Sequence, residues 1–103
     1  MAETYVLDRE MRLRKEPNKV LWYAWFARFS RNGRPVAGPD IHAGTEIRTH
    51  FLGVDQNFTG EGKPRLFVTN IRRPAGKIDQ FYTSDYTSAL DFHERQVRKI
   101  KDG

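Results

Sequence analysis

Over Arg9–Lys15 the chain alternates apolar Met11 and Leu13 with Arg12 and Arg14, the period of two that marks a half-buried strand. "EPNK" (Glu16–Lys19) follows, with proline and asparagine suited to a turn. Next comes the densest apolar run in the chain, "LWYAWFARF", Leu21–Phe29. Read as a strand paired with the first, it sets Leu21, Tyr23, Trp25, Ala27 and Phe29 on one face. Trp22, Ala24, Phe26 and Arg28 then fall on the other. A surface strand of a small antiparallel sheet is apolar on one face only. The second face therefore needs cover from protein, a partner or a nucleic acid.

Further along, "SRNGR" (Ser30–Arg34) carries Asn32-Gly33, a strong hairpin signal, and "PVAGPDIHAG" reads as a loop because of its two prolines and two glycines. Thr45–Asp55 reads as a long strand with Ile47, Thr49 and Phe51 on one face and Glu46, Arg48 and His50 on the other. Gln56–Pro64 is polar loop. Arg65–Arg73 and Ile78–Ser84 form a hairpin around "PAGK". From Tyr86 onward the period changes. Tyr86, Leu90, His93, Val97 and Ile100 recur at the spacing of one helical face. Ser84 or Asp85 is placed to cap that helix, and Asp91–Arg95 and Glu94–Arg98 are acid-first i,i+4 pairs. The expected fold is α+β: an antiparallel meander of four to five strands with one C-terminal helix packed on one face, all in a single domain over residues 1–103.

Composition narrows the chemistry. The chain has no cysteine, which excludes disulfides, thiolate catalysis and cysteine-bound metals. Its charged N-terminus lacks a signal-peptide core, and no apolar run reaches membrane-spanning length. A cytoplasmic protein with no membrane partner is expected. There are 18 Lys+Arg against 13 Asp+Glu, a formal charge of +5. Such a balance draws anionic partners, although acids punctuate most of the basic runs.

The cadence Phe51-Leu52-Gly53-Val54-Asp55, Phe58, Leu66-Phe67-Val68-Thr69 and Tyr82-Thr83-Ser84, closing with Ala89 and His93, resembles a group of small phage- and prophage-encoded proteins. The resemblance spans about residues 45–100 and leaves the aromatic run unmatched. Val68 stands where that group's pattern has an acidic residue. The resemblance implies a phage or mobile-element accessory role and carries no activity across.

No catalytic constellation appears. "TGEGKPR" (Thr59–Arg65) lacks the glycine and the hydroxyl residue that a phosphate loop needs around "GK". His42, His50 and His93 show no metal-ligand spacing, and His93 reads as a packed histidine hydrogen-bonded once. No metal or cofactor is expected, and no enzyme. The candidate contact residues are the aromatics Trp22, Tyr23, Trp25 and Phe26, a surface for an unidentified protein partner or for a homodimer. The alternative is a nucleic-acid module. Arg28, Arg31 and Arg34 around one turn and Arg72, Arg73 and Lys77 around another would flank an exposed aromatic, provided both turns emerge at one end of the sheet.

Overall fold

A computed structural model describes residues 3–29, 35–57, 59 and 61–102. Its element order is β1 (Tyr5–Leu7), β2 (Leu13–Lys15), α1 (Lys19–Phe29), β3 (Ala37–His42), β4 (Thr45–Phe51), β5 (Phe67–Arg72), β6 (Ile78–Thr83) and α2 (Tyr86–Asp102). Strands β3–β4–β5–β6 form an antiparallel meander, and β1–β2 form a separate two-stranded ribbon. The expected α+β meander with a C-terminal helix is what the chain adopts, with a second helix and a small ribbon added.

The sheet is built as the alternation predicts. Along β4, Thr45, Ile47, Thr49 and Phe51 are buried while Glu46, Arg48 and His50 stand on the other face. The register with β5 places Phe51 opposite Phe67, Thr49 opposite Thr69 and Ile47 opposite Ile71, giving three inward layers across the sheet. Ala43 and Gly44, with φ of 50° and 82°, make the two-residue turn from β3 into β4, a geometry that requires left-handed backbone at both central positions. The segment read as loop over residues 34–44 thus contains strand β3. Its irregularity is real: the β3–β4 register shifts between Ala37 and Asp40.

Helix α2 lies on the inward face. Ala89 and His93 are buried, and Tyr86 and Phe92 approach Phe67 and Phe81 at 6.4 and 5.3 Å between ring centroids. Asp85 caps it by accepting the Ser88 N–H at 2.8 Å. The pairs Asp91–Arg95 and Glu94–Arg98 form at 2.9 and 3.4 Å.

The strand reading of Leu21–Phe29 is overturned, and with it the hairpin that joined this run to the first strand. These residues are helix α1, and β2 pairs instead with β1. The cause lies in "EPNK". Asn18 is an N-cap, whose side-chain oxygen accepts the Val20 and Leu21 N–H groups at 3.0 and 3.2 Å, which satisfies donors that a nascent helix leaves free. Trp22, Trp25, Phe26 and Phe29 then fall at i, i+3, i+4 and i+7, one face of a helix. The Asn32-Gly33 hairpin signal lies outside the described residues. No helix among the described residues is long and apolar enough to cross a membrane.

Candidate functional site

Helix α1 seals the Phe51 end of the sheet. Trp25 and Phe29 stack at 4.8 Å, and both meet Phe51 edge-on at 5.9 and 5.7 Å. Trp22 stacks on Phe26 at 5.1 Å, and its indole N–H donates to the Tyr5 carbonyl at 2.9 Å. Gly53, at φ +73°, lets the backbone pass directly beneath the rings of Phe26 and Trp22. Of the four aromatics proposed as a contact surface, Trp22, Trp25 and Phe26 are thus half-buried and face inward. Tyr23 alone points out.

The outward face of α1 is apolar too. Val20 is 77% exposed, Tyr23 71% and Leu21 57%, and no residue of the helix is fully buried. At 100° per residue, Val20, Ala24 and Ala27 form a central stripe flanked by Tyr23 on one side and by Leu21 and Arg28 on the other. The short alanines lie between larger neighbours. The helix carries no acidic residue, and its two charges, Lys19 and Arg28, stand at its ends. Lys19 reaches back to the Thr4 hydroxyl at 3.1 Å.

The described members of the arginine platform do not come together. Arg28 neighbours Phe29 at the Phe51–Phe67 end, whereas Arg72, Arg73 and Lys77 sit at the β5–β6 turn. Five residues of β5 separate those ends, roughly 17 Å at strand rise. Arg72 is also paired with Glu46 at 3.2 Å, and Arg73 and Lys77 share Asp79 at 3.5 and 3.9 Å. Arg31 and Arg34 lie outside the described residues. On the outward sheet face, Asn70 and Gln80 bond each other at 3.0 Å and Arg65 lies over the Tyr82 ring at 5.4 Å. His50, on that face, has its pKa lowered by burial, with the Arg48 charge adding to the effect.

Behind the sheet, four side chains form a relay that sequence reading missed. The Thr69 and Thr49 hydroxyls are 2.7 Å apart, Thr49 lies 2.8 Å from His93 Nδ1, and His93 Nε2 lies 2.6 Å from an Asp40 carboxylate oxygen. One directional chain fills every position. Thr69 donates to Thr49, Thr49 donates to Nδ1, and the imidazole proton on Nε2 is given to Asp40. Reversing it would leave the Thr69 O–H without an acceptor among the described residues, a costly state for a buried group. His93 is therefore bonded twice rather than once. The order hydroxyl–imidazole–carboxylate is that of an activated nucleophile, yet Thr49 and Thr69 are fully buried, so neither hydroxyl can meet a substrate. The relay ties α2 to β3, β4 and β5. Its one legible signal was a pair of threonines at inward strand positions. Among the described residues no three His, Asp or Glu side chains are grouped to hold a metal.

No family model, curated protein or solved structure matches the chain. The fold and the α1 surface thus stand on their own geometry.

Proposed function

We propose that this chain is a non-catalytic accessory protein of a phage or mobile element, acting by protein–protein contact through the outward face of α1. One observation carries the reading. Three large apolar side chains, Val20, Leu21 and Tyr23, stand more than half exposed on one helix, whose other face already completes the core. Scattered apolar residues on a surface need no explanation, but a contiguous group marks a contact site. Full burial of such side chains is worth about 1.5–3 kcal/mol each, against an association cost of several kcal/mol. A contact of this size is transient unless the partner covers more than the helix. The fitting partner presents an apolar helix or groove with carboxylates at its rim, since α1 offers only cationic ends on a chain of formal charge +5.

The test is affinity capture from host lysate with the tagged chain, run beside a Val20→Asp/Tyr23→Asp variant of matched circular dichroism. The expected result is a specific protein that the parent chain retains at both low and moderate salt, and after nuclease, and that the variant loses. A retained set unchanged by the double substitution overturns the reading. Loss of the captured material on nuclease treatment or with rising salt would instead point to a nucleic acid.

A further inference from the structure

The two edges of the meander are built differently. The β3 edge is blunted: its register shifts between Ala37 and Asp40, Pro39 offers no N–H, and Gly38 sits at φ +84°. Bulges and prolines are the usual devices that stop an edge from pairing with another chain. The β6 edge has none of them. Ile78–Thr83, "IDQFYT", contains no proline, glycine, lysine or arginine, and it pairs one for one with β5 across six positions.

The backbone phase of that edge can be read from the turn. Arg73 N–H donates to the Lys77 carbonyl at 2.8 Å, which makes Arg73 and Lys77 a hydrogen-bonded pair. Antiparallel pairs alternate, so Asp79, Phe81 and Thr83 direct their backbone groups at β5. Ile78, Gln80 and Tyr82 turn theirs to the open side, where no strand among the described residues meets them. Apolar side chains flank the same edge. Ile78 is 55% and Tyr82 40% exposed on one face, and Phe81, against Phe92 of α2, is 41% exposed on the other.

We infer that β6 is a self-association edge, and that a second copy of this chain pairs with it antiparallel about a twofold axis through Gln80. That register uses every open backbone group. Gln80 faces Gln80, and Ile78 faces Tyr82 twice, so the two exposed apolar residues of the outward face cover each other. The only charge in the strand, Asp79, lies opposite Phe81 of the second copy, and no like charges are set against each other. The product is one continuous eight-stranded sheet with both α2 helices on the same side. It leaves α1 free, so it is independent of the contact proposed above.

Sedimentation velocity over a concentration series tests it, using the full chain with Gln80→Lys and Gln80→Glu variants checked by circular dichroism. The parent chain is expected to dimerise. Each variant sets like charges against each other on the axis, and its dimer should dissociate about fivefold more readily. Mixing the two in equal amounts should restore association, because the opposed charges then attract. A parent chain that stays monomeric at every concentration overturns the inference. So does a dimer that neither substitution weakens, or a mixture no tighter than its components. The Val20→Asp/Tyr23→Asp variant separates the two surfaces: the dimer should survive it, and its loss would place self-association on α1 instead of β6.

Discussion

Replacing Thr49 with valine removes the middle of the buried relay while keeping the side chain's shape. In the directional chain, Thr49 receives the Thr69 proton and gives its own to His93 Nδ1, over 2.7 and 2.8 Å. Thr49→Val therefore strands two groups at once, an acceptor on a buried imidazole and the donor of a fully buried threonine. Each buried orphan costs about 1–3 kcal/mol. The added methyl returns about 0.8 kcal/mol, leaving a net loss of about 1–5 kcal/mol. Thr69→Val is different in kind. It sits at the end of the chain, so Thr49 can still donate to Nδ1 and no donor is stranded. The loss of one hydrogen bond, about 1 kcal/mol, is nearly offset by the same methyl. The double variant should then be more stable than Thr49→Val alone by about 2–4 kcal/mol, because the stranded Thr69 hydroxyl is gone and a second methyl is added. Urea unfolding of the four proteins near neutral pH, with matched slopes, reads these differences directly. The reasoning fails if Thr69→Val costs as much as Thr49→Val, or if the double variant is the least stable of the set.

Two further outcomes follow from the geometry. His50 has its pKa lowered from 6.5 by burial and by Arg48, so the unfolded chain takes up a proton before the folded one does. Stability is then complete above about pH 6.5 and declines as pH falls below it. His50→Gln should flatten that decline between about pH 7.5 and about pH 5 in urea unfolding, and identical slopes for the two proteins would refute it. At Gly53, an added methyl would lie 2.8 Å from the Phe26 ring in a backbone at φ +73°, whereas Gly76, at φ +91°, has nothing within 4 Å. Gly76→Ala should cost only the left-handed strain of about 1–2 kcal/mol. Gly53→Ala should cost clearly more and alter the near-UV tryptophan spectrum. Equal losses would mean that α1 does not pack there.

How much of this was readable beforehand depended on whether local pattern and tertiary context agreed. At β4 they did. One face needed burial and one did not, and alternation says so residue by residue. At α2 the helical stripe, the Asp85 cap and the two ion pairs all point the same way. At β3 the glycine and proline content argued for a loop, since Pro39 and Gly38 are poor strand residues. The strand survives because its register can shift around them at an edge. The His93 relay was invisible because it joins residues 53 and 44 positions apart. Only the strand register brings Thr49 and Thr69 together.

Helix α1 is the instructive failure. Strand and helix readings of an apolar run are told apart by which positions are polar, and this run has almost none. Trp22, Trp25, Phe26 and Phe29 do mark a helical face, but the opposite face, Val20, Leu21, Tyr23, Ala24 and Ala27, is apolar as well. The period is thereby hidden, and the aromatic content tips the reading toward a strand. The ambiguity and the proposed contact surface share one cause. A helix that served only to close the Phe51 end of the core would gain solubility from polar residues on its outer side, at little cost in stability. The outward Val20, Leu21 and Tyr23 stand more than half exposed. They cost solubility while exposed, and in the contact proposed above a partner's surface would turn that cost into binding energy.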